Sequence, residues 1–421
     1  MIAPQNQMHS NWAIFGLDET GPDQLRDWHL QSLRNAKLVI ADERFHNMLQ
    51  DAGAKTIEDW PKPFSDIVTR LADYKDDPIA IFATGDPMFY GAGATIKRYF
   101  PNQNIQIWPA LSGIQLAASH MGWSLSSCEV ISIHGRPATR IIPHIYPFAK
   151  WLVIPQGAKS ISEVADILIA RNSGDAHITV LNALGRPNAE TNICKTANEW
   201  QTQSANGLDD FCILAIDLSP AGRMAHHSAS GVLPDDAFIS DGKLTKQDVR
   251  ASALSKLQPH PHGVLWDLGT GCGSIAIEWA RTYDSCRAYG VDNRDDRLQR
   301  ARANAQALGT PTASWIEGDI CQAMTKLPEP DAIFIGGGLS SQAIADAMHY
   351  LPVGGRLVCH AVTLESEALL LEAHHHHGGQ LTRIAVNKAE PVGGYFGWRG
   401  LMPVTQWVFI AQSEGSGNDE R

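Results

Sequence analysis

The sequence predicts an α/β protein of two successive domains, and three observations predict it. From Trp12 onward, short apolar runs alternate with longer amphipathic stretches, the signature of strands alternating with helices. A small, polar, aperiodic stretch, Ser219–Gly231, then interrupts the series, as a linker does. After it, "WDLGTGCGSIAIEWA" (Trp266–Ala280) opens a second series with a glycine-rich turn. The predicted organisation is a first domain over 11–218, a linker over 219–232, a second domain over 233–412 and a disordered tail over 413–421. At 421 residues the chain is long enough for two such domains.

In the first series, "NWAIFGL" is a strand, "GPDQLRDWHLQSLRNA" a helix and "KLVIAD" a strand. "PIAIFATGDP" is a strand running into a loop, and "WLVIP" and "HITVLNAL" are further strands. Between these two, "ISEVADILIARNS" places Ile161, Val164, Ile167 and Leu168 on one helical side. "FCILAIDL" (Phe211–Leu218) is the last apolar strand of the series. Past the linker a helix is expected from about Lys246, then the glycine turn, then the strands "RAYGVD", "ASWIEGD", "DAIFIGG", "GGRLVCHAV", "QLTRIAVN" and "QWVFIAQ". Trp266 and Trp279, flanking the turn, are expected in the core.

Composition narrows the class. Hydrophobic residues are 44% and charged residues 19%, as in globular domains. The formal net charge of -11 argues against a nucleic-acid partner, which needs a basic footprint. No apolar run approaches the ~20 residues of a membrane span, and no secretory signal is expected, so a cytoplasmic location is predicted. The seven cysteines are scattered without a CxxC pair, which predicts reduced thiols and no metal site. "HHHH" (His374–His377), before Gly378-Gly379, is expected as a solvated helix end.

The turn reads Asp267-Leu-Gly269-Thr270-Gly271-Cys272-Gly273. This DxGxGxG pattern differs from the GxGxxG that cradles a dinucleotide pyrophosphate. Glycines let the backbone turn through positive φ and approach a ligand closely. The next strand ends at Asp292, suited to ribose hydroxyls, and the one after leads to "EGDI", whose Asp319 suits an adenine amino group. Three acids at three successive strand ends suit S-adenosylmethionine, which carries an ammonium and no phosphate. Asp267 is expected beside that ammonium. Cys272 is expected to contribute backbone and no thiol chemistry.

Together with "LPDDAFISDGKLTKQDVRASALSKL", "FIGGG" and "AVTLES", this turn resembles the C-terminal, CbiT-like half of the precorrin-6Y methyltransferases, over about Leu233–Gln412. The resemblance implies a Rossmann-like class I methyltransferase domain. It implies cofactor contacts at Thr245, Gly269, Thr270, Gly271, Cys272, Gly273, Asp292, Asp319 and Ile320. The first half carries "ATGDPMFYGAG" (Ala83–Gly93), "PALSGIQLAASHMGW" (Pro109–Trp123) and "ISIHGRP" (Ile131–Pro137). In that order they resemble the tetrapyrrole methylases, CbiE-like branch, over about Trp12–Leu218. That fold has two α/β subdomains with the cofactor between them, and the implied contacts are Gly16, Gly85, Asp86, Met88, Tyr90, Ser112 and Gly113. Two departures stand out. Leu17 and Asp18 follow Gly16 where a glycine-rich loop is usual, and Arg186 in "LGRPNAE" stands where glycine is usual.

The combination implies two S-adenosylmethionine sites on one chain, methylating one tetrapyrrole twice. By resemblance the substrate is precorrin-6B, methylated at C5 by the first half and at C15 by the second. The acetate on ring C is lost as CO2, and the product is precorrin-8 of cobalamin biosynthesis. The catalytic groups stay open, with His134, Arg136 and Lys246 as candidates. Arg136, Lys243, Lys246, Arg250 and Arg399 are candidates for the substrate carboxylates, each weighed against a solvated surface charge. The resemblance also implies a homo-oligomer. Two other readings stay open, a fused small-molecule or RNA methyltransferase and a chain with one non-catalytic half used for binding or oligomerisation.

Overall fold

β-Branched and aromatic runs form the strands, and the loops at the strands' carboxyl ends carry the motifs. The computed structural model describes residues 11–18, 24–186, 190–203, 207–208, 210–222, 226–229 and 231–413. The expected tail from 414 on, parts of the linker, the start of the first expected helix and positions 187–189 of "LGRPNAE" lie outside the described residues. By its contacts the chain divides into two units, 1–136 with 147–223 and 137–146 with 224–421.

The first unit holds two five-stranded sheets. One contains β1 (Trp12–Leu17), β2 (Leu38–Ala41), β3 (Ile57–Glu58), β4 (Ile79–Thr84) and β5 (Ile105–Trp108). Its order is β3-β2-β4-β1-β5 and every pairing is parallel. Such a sheet is covered on both faces. Accordingly, Trp12, Ile14 and Ile81 pack on one side, and Phe15, Leu17 and Phe82 on the other. The second sheet contains β6 (Glu129–Ser132), β7 (Lys150–Ile154), β8 (His177–Asn182), β9 (Thr191–Thr196) and β10 (Cys212–Asp217), in the order β6-β7-β10-β8-β9. Only β6 and β7 are parallel; β10 runs antiparallel to both its neighbours. The strand that ends the series in sequence thus lies at the centre of its sheet. The helix Ser160–Ala170 buries Ile161, Val164 and Leu168, as its periodicity predicts, with Ile167 half-buried.

The second unit has a seven-stranded sheet of β11 (Val264–Leu268), β12 (Arg287–Asp292), β13 (Ser314–Glu317), β14 (Ala332–Ile335), β15 (Arg356–Ala361), β16 (Gln380–Ile384) and β19 (Val404–Ile410). Its order is β13-β12-β11-β14-β15-β19-β16, with β19 antiparallel to both neighbours. Strands β17 (Asn387–Val392) and β18 (Tyr395–Gly400) form a separate hairpin, which the sequence pattern did not predict. Trp266 and Trp279 are buried as expected. The strand order reverses between the parallel strands β11 and β14, and ligands of open α/β sheets bind at such a switch point. No helix among the described residues is long and apolar enough to cross a membrane.

Residues 137–146 depart from the expected first domain, because they pack within the second unit. This 3-10 stretch buries Ile141 completely and sets Arg140 Nη2 3.1 Å and His144 Nε2 3.3 Å from the carboxylate of Asp284. The helix Asp295–Leu308 ends at Gly309, where a Cβ would stand 2.6 Å from Pro143 Cδ. Periodicity cannot detect such packing, since its partners are far away in sequence.

Candidate active sites

In the first unit three loops meet at the carboxyl ends of β1, β4 and β5. The Gly85 amide donates to the Leu17 carbonyl at 2.6 Å, and the Ala110 amide donates to the Gly85 carbonyl at 3.3 Å. Gly16 makes this junction possible. A Cβ there would lie 2.0 Å from the Gly85 oxygen and 2.4 Å from the Ala110 nitrogen. Asp86 Oδ1 accepts from the Met88 amide at 2.8 Å and fixes the GDP loop, and Tyr90 takes φ 55 at its end. Ser112 caps the helix Gly113–Met121, its hydroxyl accepting from the Gln115 amide.

These loops border a cavity of about 860 Å³. Gly85, Asp86, Met88, Tyr90, Ser112 and Gly113 line it, as do His134 and Arg136. Gly16 is absent from the lining because its part is the junction behind the wall. The other wall comes from the second sheet, through Ser132, Ile154, Leu181, Cys212 and Ile213. Arg136 lies over the Tyr90 ring, 5.9 Å from its centroid. His134 Nδ1 is 3.3 Å from the Pro155 carbonyl. Both departures fall here. Leu17 and Asp18 line the cavity, with the Asp18 amide donating to Gln24 Oε1 at 2.8 Å. Arg186 lies 5.0 Å from the centroid of Phe211, itself a lining residue. Sequence reasoning missed Phe211 and the rest of the second-sheet wall, whose apolar strand pattern does not distinguish core from cavity.

In the second unit the glycine turn joins β11 to the helix Ser274–Thr282. Gly269, at φ +72, faces the Gly337 backbone, where a Cβ would fall 2.5 Å from the Gly337 oxygen. The turn therefore sits in the crevice between β11 and β14. Asp292 is buried at the end of β12. Its Oδ2 accepts from the Gly271 amide at 3.0 Å and its Oδ1 from the Arg294 amide at 3.1 Å.

Asp267 is buried at the end of β11. Its Oδ2 accepts from Thr270 Oγ1 at 2.6 Å and from the Ala276 amide at 3.1 Å. Burial pushes its carboxyl up to about 6, against those two hydrogen bonds and with help from the Asp292 charge. The native state therefore holds a proton that the unfolded chain releases near its ordinary value of 3.8. Stability from this group is complete below about pH 4 and falls as pH rises through 6, by roughly 3 kcal/mol. Asp267→Asn is expected to remove this fall. Urea titrations of both proteins across pH 4–7 read it, and parallel curves would refute it.

Cys272 is buried, and burial pushes its thiol up to about 11, consistent with a backbone role. Asp319 caps the helix Ile320–Met324, accepting from the Gln322 amide at 3.1 Å. It lines a separate depression of about 420 Å³ that includes neither the glycine turn nor Asp292. Ile320 packs in the core beneath Gly338. Thr245 and Lys246 are half-buried, and Lys246 Nζ stands 4.0 Å from Asp235.

One of the candidate substrate cations is corrected. Arg250 is completely buried. It pairs with Glu278 at 3.1 Å and Asp235 at 3.2 Å and donates to the carbonyls of Thr245 (2.5 Å) and Leu233. Its donors are spent on structure. Arg399 lies on the exposed hairpin and pairs with Glu390 at 3.0 Å. Lys243 is exposed.

Residues 29–198 match the family of tetrapyrrole (corrin/porphyrin) methylases, and residues 236–411 match the precorrin methyltransferase domain. A precorrin-6Y C(5,15)-methyltransferase (decarboxylating) from Sinorhizobium sp is 35% identical over 401 residues, spanning 94% of this chain and 96% of that protein. The chain belongs to the precorrin-6Y C5,15-methyltransferases. A second member, from Mycobacterium tuberculosis, is 33% identical over 94% of this chain and 98% of its own length. The crystal structure of the C-terminal domain of the precorrin-6Y C5,15-methyltransferase from Rhodobacter capsulatus is 39% identical. It covers 44% of this chain and 100% of that one, with a TM-score of 0.42. Precorrin-6Y C5,15-methyltransferases are decarboxylating methyltransferases, and S-adenosylmethionine is the methyl donor of this class. Such a donor carries ribose hydroxyls and no phosphate, and the buried Asp292 carboxylate beside the glycine turn fits it.

Proposed function

We propose that the chain methylates precorrin-6B at C5 and C15 from two S-adenosylmethionine sites, one in each unit, with loss of CO2 from the C12 acetate to give precorrin-8 in cobalamin biosynthesis. The observation that carries this reading is the convergence of three separate motif segments of the first half on one cavity, while the glycine turn builds its own crevice in the second unit. When bound, S-adenosylmethionine supplies an electrophilic methyl group.

The protein's own part is alignment. In the first unit Gly85, Asp86, Met88 and Tyr90 shape one wall and Ser112 and Gly113 another, and these walls would hold the acceptor carbon in line with the donor methyl. Arg136 offers a cation at the cavity wall for a substrate carboxylate. In the second unit Gly269–Gly273 would hold the donor's amino-acid end and Asp292 its ribose, with Thr245 as a further contact. A reduced tetrapyrrole meso carbon is already nucleophilic, so oriented binding supplies much of the rate, up to ~7–11 kcal/mol. The second unit buries the departing acetate; the pyrrolenine or imine made by C15 methylation accepts the electrons of the bond to CO2, and the methyl carbon left behind takes up a proton.

A homo-oligomer belongs to this reading. It is supported by the hairpin β17–β18, whose Tyr395, Phe396 and Trp398 are each more than three-quarters exposed. A two-stranded ribbon is marginal alone, and apolar patches of this kind mark interfaces; light scattering of the full chain reads the state.

The test of two centres is calorimetry with S-adenosylhomocysteine. Two sites per chain are expected, and Asp292→Ala should weaken only the second. One site in the wild type, or equal weakening of both by Asp292→Ala, would sink the two-centre reading.

A further inference from the structure

The helix Asp295–Leu308 carries two residues, seven apart and so on one face, that tie the segment 233–246 to the cofactor turn. Asn304, almost completely buried, accepts from the Ile239 amide at 2.9 Å and donates to the Ile239 carbonyl at 3.0 Å. Its remaining amide proton goes to the Cys272 carbonyl, inside the glycine turn, at 3.0 Å. Arg297 makes the second tie. Its Nε donates to Asp241 Oδ2 at 3.1 Å, and its Nη1 stands 3.6 Å from Asp292 Oδ2, the same oxygen that receives the Gly271 amide. Asp241 belongs to the segment and Asp292 to the strand end. One guanidinium therefore bridges the segment, the acid and, through that acid, the turn.

We propose that Arg297 is a positioning residue for the second cofactor site: held by Asp241, it fixes the Asp292 carboxylate, so that closure of the segment 233–246 and binding at Asp292 are one coupled event. The proposal rests on the reading of the glycine turn and Asp292 as a donor site. Two carboxylates face Arg297, and their separate demands explain why its charge is needed. Without it, Asp241 and Asp292 would repel one another across the closed segment. Asn304 keeps the segment in register on the turn, so that Arg297 reaches both acids.

Asp241 makes the decisive variant, because its carboxylate is spent on Arg297 and the Lys243 amide and has no assigned part in holding the donor. In the full-length chain, Asp241→Asn is expected to weaken S-adenosylhomocysteine at the second site about tenfold, within the usual range of coupling between sites. Arg297→Gln should do the same, and the double variant should lose no more than either single one. In turnover, the KM for S-adenosylmethionine in CO2 release should rise with a much smaller change in kcat, the mark of lost ground-state positioning. Hydrogen exchange supplies a readout independent of activity. Amides of residues 238–246 should gain protection when S-adenosylhomocysteine binds the wild type, and lose that gain in Asp241→Asn. Unchanged affinity in Asp241→Asn, or additive losses in the double variant, overturns the coupling. If Asp292→Ala also leaves the second site unchanged, the reading of the turn itself has failed, and the two failures are thereby told apart.

Discussion

Replacing Gly16 by alanine is expected to abolish methylation at C5 while the release of CO2 continues. The added methyl would stand 2.0 Å from the Gly85 oxygen and 2.4 Å from the Ala110 nitrogen. Both are backbone atoms, so no side-chain rotation relieves the overlap. The junction of three loops must open instead. Overpacking of this kind costs ~1–3 kcal/mol or more, and a displacement of only ~1 Å in a reacting geometry costs ~100-fold in rate. Asp86, Met88, Tyr90, Ser112 and Gly113 all sit on the loops that would part. Product analysis by mass spectrometry and NMR reads the result: a decarboxylated tetrapyrrole bearing the C15 methyl but not the C5 methyl. Wild-type methylation at both carbons would show that the junction is not needed.

The second large effect is expected from Arg250→Ala. Arg250 is wholly buried and stacks over Phe238, 4.9 Å from the ring centroid. Its removal would strand Glu278, whose carboxyl burial already pushes up against the opposing charge of Arg250. It would also leave the carbonyls of Leu233 and Thr245 without this donor. Deleting one partner of a buried ion pair typically destabilises by ~3–5 kcal/mol. The loss should fall on the second unit, with early unfolding of that unit in urea and loss of CO2 release. Arg250→Lys should recover only part of the stability, because a single ammonium cannot reach Glu278, Asp235 and two carbonyls at once. A midpoint unchanged in Arg250→Ala would mean that the network contributes nothing.

Arg250 also shows where sequence reasoning stops. In the sequence it is one cation among several near a cofactor motif, and its charge suits a substrate carboxylate. The fold sets it opposite Glu278, 28 residues away, and a guanidinium wholly buried among its partners presents no face to a ligand. Asp267 is a similar case. Its place in the pattern was legible, but its hydrogen bonds from Thr270 Oγ1 and the Ala276 amide were not. The hairpin β17–β18 escaped detection because its aromatics are exposed, so it lacks the alternation that half-buried strands show.

What the sequence determined by itself is local: the order of strands and helices, the glycine turn and the three motif segments of the first half. Periodicity, turn chemistry and spacing report on residues within one or two turns of each other. They also carried the family, because the motifs stand in order along the chain. Only the tertiary structure decided which distant groups meet. It brought Gly16, Gly85 and Ala110 into contact, set β10 at the centre of its sheet and packed residues 137–146 with the second unit. It placed Arg297 between Asp241, 56 residues before it, and Asp292. The physical reason is that hydrogen bonds and ion pairs act over a few ångströms in space, whatever the separation in sequence.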